Sequence, residues 1–198
     1  EGKYYVYVGK VSEDKLSFKN TVGFSTFTVV DGGLQDAIKA AAPGGPVEIL
    51  SDITVDKWIM FAEKMNIGDG TLITLNINGV TIDGNGKTLT IKSIESAGNG
   101  GYLFYDAQNL NVKDLTINIA DGLVGGIGLQ SGTISNVTFN GGKYGVLPGK
   151  GGVTIDGCTF NDTTGYAVYY EDARPGIVVN NNTFNTADGA YAITMRSN

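Results

Sequence analysis

Ile134-Ser-Asn-Val-Thr-Phe-Asn140, Ile155-Asp-Gly-Cys-Thr-Phe-Asn161 and Val179-Asn-Asn-Asn-Thr-Phe-Asn185 are three copies of one seven-residue pattern. Val112-Lys-Asp-Leu-Thr-Ile-Asn118 is a fainter fourth copy. Their threonines, Thr116, Thr138, Thr159 and Thr183, are 22, 21 and 24 residues apart. A period in the low twenties with β-branched residues in every copy is the signature of stacked coils. A second column runs with the first: Tyr102-Leu-Phe-Tyr105, Gly125-Gly-Ile-Gly128, Tyr144-Gly-Val-Leu147, Tyr166-Ala-Val-Tyr169 and Tyr191-Ala-Ile-Thr194, at steps of 23, 19, 22 and 25 residues. Two unrelated columns that drift together establish the coil more firmly than either alone. Each coil therefore supplies at least two strands to two sheets. No stretch between coils has room for a crossover helix, so neighbouring coils pair directly and in parallel. At about 22 residues per coil, residues 47–198 would hold about seven coils.

Strict alternation places Tyr144 and Val146 on one face and Gly145 and Leu147 on the other. The apolar member of each copy (Phe104, Ile127, Val146, Val168, Ile193) is expected to point inward. Gly126, Gly145, Ala167 and Ala192 would then form an outward column of small residues beside Tyr105, Leu147, Tyr169 and Thr194. The asparagine that closes each copy of the first pattern, Asn118, Asn140, Asn161 or Asn185, suits a turn and tolerates left-handed backbone angles. Stacked asparagines can also hydrogen-bond along the axis as a ladder.

The pattern Ile-x-Asn-x-x-Phe-Asn followed by Tyr-Gly-Val, as in Ile134 to Val146, resembles the repeat of right-handed parallel β-helices of the pectate-lyase-like superfamily. The resemblance covers roughly residues 78–198. It implies an all-β, single-stranded right-handed parallel β-helix with an N-terminal capping helix. It implies little about activity, because that superfamily holds lyases, hydrolases, epimerases, adhesins and inert structural domains.

Residues 1–30 share no repeat with the rest and read as a β-strand segment, with Tyr4-Tyr-Val-Tyr-Val8, Leu16-Ser-Phe18 and Phe24 to Val30 as strands. They are expected either to cover the first coil as a hairpin or to be the remnant of a preceding domain. Residues 31–198 form the β-helix, opened by a helical cap over 31–43. In that cap Leu34, Ala37, Ile38 and Ala41 make an i, i+3, i+4, i+7 stripe, and Pro43-Gly-Gly-Pro46 ends it. Trp58-Ile-Met-Phe61 and Thr71 to Ile77 read as early, irregular coils. The last coil, ending at Arg196, carries no capping signal and leaves a parallel edge through which the chain could self-associate.

With 30 glycines and 4 prolines among 198 residues and 17% charged side chains, the composition suits a turn-rich β protein and argues against disorder. A net charge of -6 disfavours nucleic acid and anionic membrane as partners. No apolar run is long enough to span a membrane as a helix. The single cysteine, Cys158, follows Leu115 and Val137 at the same repeat position and is expected in the core. Proteins with this resemblance are usually exported, so a removed signal peptide and a secreted or cell-surface location are expected.

The chain has no histidine. That removes Ser-His-Asp and Cys-His nucleophile systems and most zinc sites. It also removes the histidine of the polygalacturonase-like members, whose Asp pair has no counterpart either. The column Asp114, Asn136, Gly157, Asn181 holds one carboxylate, a poor hard-cation site. Turn geometry explains that column, and no metal or cofactor is expected. The densest polar cluster is Tyr169-Tyr-Glu-Asp-Ala-Arg174, at a break in the period. Tyr105, Tyr169, Tyr170, Glu171, Asp172 and Arg174 are the candidate ligand-binding residues, since aromatic groups beside carboxylates suit glycan recognition. The bland alternative is a solvated loop with a local Asp-Arg pair.

These features point to a non-catalytic bacterial secreted or surface module that binds a polysaccharide or cell-surface glycan, or serves as an adhesin stalk. A polysaccharide lyase or glycoside hydrolase with a histidine-free site around Tyr169, Glu171, Asp172 and Arg174 is the alternative. A purely structural or assembly domain is the third.

Overall fold

The computed structural model describes residues 4–6, 10–12, 15–17, 33–41, 46–55, 59–60, 62–66, 72–76, 78–92, 102–120, 123, 125–149, 151–171 and 175–196. In chain order the N-terminal part holds β1 (Tyr4–Val6), the antiparallel pair β2 (Lys10–Ser12) and β3 (Lys15–Ser17), α1 (Gly33–Ala41), β4 (Pro46–Ile49), β5 (Ile53–Val55) and β6 (Ile59–Met60). A second antiparallel pair, β7 (Ala62–Asn66) and β8 (Leu72–Asn76), comes next. Then follow β9 (Thr81–Ile91) and β10 (Tyr102–Ala107), and β11 (Leu110–Ile119) with β12 (Gly125–Leu129). The last three coils are β13 (Gly132–Ser135), β14 (Thr138–Gly141) and β15 (Tyr144–Pro148); β16 (Val153–Asp156), β17 (Thr159–Asn161) and β18 (Tyr166–Glu171); and β19 (Ile177–Asn180), β20 (Thr183–Asn185) and β21 (Tyr191–Arg196).

The result is a β-solenoid. One sheet runs β1-β4-β9-β11-β13-β16-β19, with β14, β17 and β20 continuing along its second half, and the other runs β6-β10-β12-β15-β18-β21. Every pairing within these two sheets is parallel, as expected for coils that stack without crossovers. The threonine column is in register from coil to coil, Thr116 to Thr138 to Thr159 to Thr183, and Thr88 joins it from β9. The expected total of about seven coils extends into residues 56–58, 67–71 and 93–101, which lie outside the described residues. So do Phe24 to Val30.

One expectation for the N-terminal half is corrected. β7 and β8 are a hairpin outside the two main sheets, with Ala62 opposite Asn76 and Asn66 opposite Leu72. The intervening Ile67-Gly-Asp-Gly-Thr71 is too short for a coil and rich in turn residues. β1 adds to β4 in parallel and so extends the solenoid sheet. α1 packs on β1 and β4. Its stripe of Leu34, Ala37, Ile38 and Ala41 lies in the same core as Val47 and Ile49.

The core is a file of like residues. Val112, Ile134 and Ile155 of successive coils are fully buried, and so are Ile117, Phe139 and Phe160. The rings of Phe139 and Phe160 stack with centroids 4.9 Å apart, and Phe160 stacks on Phe184 at 5.2 Å. Cys158 and Val137 are fully buried in the file that Leu115 begins, as their repeat position requires.

The expected facing of β12, β15 and β18 is wrong in one respect. Gly145 and Val146 are both buried, while Tyr144 and Leu147 on either side of them are only half-buried. The rings of Tyr166 and Tyr169 lie 5.0 Å apart, so residues three apart share a face, which a strictly alternating strand forbids. The order is therefore out, in, in, out. The small column points into the core and not to the surface. A β-carbon added at Gly145 would sit 2.6 Å from the Phe160 ring, and one at Gly126 would sit 2.9 Å from the Phe139 ring. Small residues are required here because the phenylalanine stack occupies the space a side chain would need.

The asparagines form the ladder expected of them, but without left-handed backbone. Asn140 donates its Nδ2 to Oδ1 of Asn118 at 2.8 Å, Asn161 to Asn140 at 2.8 Å and Asn185 to Asn161 at 2.9 Å. The left-handed conformation falls instead on Asp114, Asn136, Gly157 and Asn181, with φ of 53°, 56°, 63° and 54°. These residues turn the chain between the two strands that each coil gives to the larger sheet, and asparagine, aspartate and glycine tolerate those angles best.

Three substitutions test this packing. Gly145→Ala should destabilise by about 1–3 kcal/mol through overpacking against Phe160. Asn161→Ala removes one ladder bond on each side and should cost about 1–3 kcal/mol, against about 1 kcal/mol for Asn185→Ala, which loses one. Chemical denaturation of the three variants measures both effects, and equal costs for Asn161→Ala and Asn185→Ala would contradict the ladder.

Candidate functional site

With the strand facing corrected, the outer surface of the smaller sheet carries a ridge of tyrosines. The out, in, in, out order places Tyr144, Tyr166 and Tyr191 in one outward column, one residue per coil, because β15, β18 and β21 pair in register at those positions. Their rings stack along the solenoid axis at 5.6 Å per step, with interplanar angles of 9° and 23°. Tyr169, from the second outward column, lies beside two of them, 5.6 Å from Tyr144 and 5.0 Å from Tyr166. The Lys143 ammonium sits 5.4 Å from the centroid of the Tyr144 ring, a cation–π contact that places a positive charge at one end of the row.

The stack determines what the ridge can offer. The Tyr166 ring is flanked by Tyr144 on one side and Tyr191 on the other. A buried or half-buried tyrosine hydroxyl needs a polar partner. Tyr191, in the last described coil, is 61% exposed. The surface is thus a line of evenly spaced tyrosine rings.

The six residues singled out from sequence fall in different places. Tyr169 is part of the ridge. Tyr170 is half-buried and packs against the core, in the inward file that includes Leu129 and Pro148. For Tyr105 and Glu171 the structure describes the backbone: Tyr105 pairs with Met60, and Glu171 pairs with Arg196. Asp172 and Arg174 lie outside the described residues. Tyr144, Tyr166 and Tyr191 were visible as a repeated column, but alternation assigned Tyr144 to the face of Val146. The three-residue spacing of tyrosines in Tyr166-Ala-Val-Tyr169 was the signal that both ends face out.

The left-handed column has a structural use for its lone carboxylate. Asp114 accepts from Asn136 Nδ2 at 2.7 Å, and Asp156 accepts from Asn181 Nδ2 at 2.9 Å. Lys113 bridges Asp83 at 2.5 Å and Asp114 at 3.7 Å. The hydrogen bond and charge of Asp83 hold the lysine above its ordinary range. Among the described residues no group of three or more His, Cys, Asp or Glu side chains could hold a metal ion. No helix among them is long and apolar enough to cross a membrane.

Cys158 is the only cysteine in the chain, and burial pushes its thiol up to about 11 from an ordinary value near 9. At pH 8 its thiolate fraction is therefore lower than that of a free thiol on the order of 100-fold. Labelling by a disulfide reagent at pH 8 should be slow in the folded chain and fast in denaturant. The folded state keeps its proton between about 9 and 11 while the unfolded thiol ionises. This group's stabilisation is thus complete below pH 9 and declines as pH rises through that window. Rapid labelling of the native protein would contradict the burial.

No family model, curated protein or solved structure matches this chain.

Proposed function

We propose that the protein is a non-catalytic module of the pectate-lyase-like β-helix type, secreted or displayed at a bacterial surface, that holds an extended polysaccharide along its tyrosine ridge. The observation that carries this reading is the in-register row of Tyr144, Tyr166 and Tyr191 with Tyr169 beside it, running along the solenoid axis at 5.6 Å per coil. That step is comparable to the advance of one sugar ring along an extended chain. Evenly spaced tyrosines would offer such a ligand a repeating set of phenol groups, and the rings would supply apolar contact for the sugar's CH groups. The scaffold suits the task because stacked coils hold the row rigid, so a ligand loses little to ordering the protein.

The non-catalytic part of the reading rests on the chain's lack of histidine and on the use of Asp83, Asp114 and Asp156 in hydrogen bonds and ion pairs of the scaffold. Glu171, Asp172 and Arg174 follow Tyr169 in the sequence where the period breaks, and would contribute polar contacts to the same ligand.

A glycan array followed by calorimetry tests the proposal. Binding to an extended polysaccharide is expected, weakened at least about tenfold by Tyr166→Ala, as for loss of a central aromatic anchor. The circular dichroism of that variant should be unchanged. Absence of binding to any polysaccharide would contradict the reading. So would release of reducing or unsaturated sugar that is lost in Glu171→Gln.

A further inference from the structure

Tyr166 and Tyr169 are the closest pair on the ridge. Their ring centroids are 5.0 Å apart, against 5.6 Å for Tyr144 to Tyr166, Tyr144 to Tyr169 and Tyr166 to Tyr191. Their planes are tilted by 28°, whereas Tyr144 and Tyr166 are nearly parallel at 9°. Both stand on β18, and the two residues between them, Ala167 and Val168, are fully buried. β18 is paired with a strand on each side, and Tyr166 is in register with Tyr144 and Tyr191. The two rings therefore keep their separation on a fixed base. Both are half-buried, so solvent reaches them.

We infer that Tyr166 and Tyr169 are an oxidative coupling site, at which a one-electron oxidant joins the two phenols as a dityrosine within the chain. Each phenol gives up one electron and its hydroxyl proton and becomes a neutral phenoxyl radical. The unpaired electron is shared with the ring carbons ortho to the oxygen. The two radicals form a carbon–carbon bond between ortho carbons. Each ring then releases the proton from its joined carbon, and each oxygen regains one, so both phenols are restored. With hydrogen peroxide and a haem peroxidase as oxidant, the two electrons and two protons lost overall reduce one peroxide to two waters.

The geometry selects this pair over the others on the ridge. Holding two reacting groups side by side turns an encounter between chains into a step within one chain, and the shortest separation gains most. The product's rings meet edge to edge and not face to face. A tilted pair reaches that arrangement with less rotation than the nearly parallel Tyr144 and Tyr166. Tyr170, next in sequence, packs against the core. Cys158, the only thiol, is fully buried and does not divert the oxidant. The coupling needs no bound ligand, so it stands apart from the polysaccharide reading.

Treatment of the dilute chain with hydrogen peroxide and a haem peroxidase tests the inference. Dityrosine fluorescence should appear while the chain stays monomeric on a denaturing gel. The tryptic peptide that carries Tyr166 and Tyr169 should lose the mass of two hydrogens. Tyr144 lies between Lys143 and Lys150 and leaves in a separate peptide, whose mass should not change. Tyr166→Phe and Tyr169→Phe keep the ring and remove the phenol, and each should abolish the product. Tyr144→Phe and Tyr191→Phe should leave it in place. In denaturant the yield in that peptide should fall, because the folded strand sets the contact. Absence of dityrosine would overturn the inference. So would a link mapped to another pair, coupling only between chains, a Tyr169→Phe chain that couples like the parent, or equal yields from folded and denatured chain.

Discussion

Like residues meeting across coils hold this molecule together. Each coil offers its neighbour the same side chain at the same register, and three kinds of contact recur along the axis: phenylalanine on phenylalanine inside, asparagine on asparagine at the strand edge, and tyrosine on tyrosine outside. Backbone pairing alone would permit a coil to slip by two residues and keep its inward and outward faces. The side-chain files forbid that, because a slip would break the asparagine ladder and part the Phe139, Phe160 and Phe184 rings at once. The stability of such a stack is a sum over neighbouring coils. Each middle coil is therefore held on two sides.

That arrangement also explains where residues must be small. Gly126 and Gly145 are confined by the Phe139 and Phe160 rings opposite them, not by a turn, and Ala167 at the same repeat position is fully buried. Their smallness lets the adjacent strand approach the core closely, and the two consecutive inward residues follow from that approach. The outward tyrosines then emerge three residues apart instead of two. A packing constraint deep in the core thus sets the spacing of the aromatic surface outside.

Much of this was legible in the residues. The period of the Thr-Phe-Asn pattern gives the coil, its parallel pairing and the burial of Cys158, since each depends only on repetition. The column Asp114, Asn136, Gly157, Asn181 announced a turn by its residue types, and all four have left-handed backbone. The ridge was harder to see. Tyr144 looked inward because alternation is a property of a regular strand, and β15 is not regular: Val146 and Gly145 share the inner face. The β7–β8 hairpin was missed for a related reason. Its apolar residues resemble those of a coil, and only the short, glycine-containing link between them distinguishes a hairpin from a coil.

The central claim is that the side chains of successive coils stand in register along the axis. Nuclear Overhauser contacts in an isotope-labelled chain measure this most directly. The side-chain amide protons of Asn161 should contact Asn140, 21 residues earlier, and the Phe160 ring protons should contact both Phe139 and Phe184. Contacts from Asn161 or Phe160 to residues two positions away from those partners would show a shifted register and contradict the account.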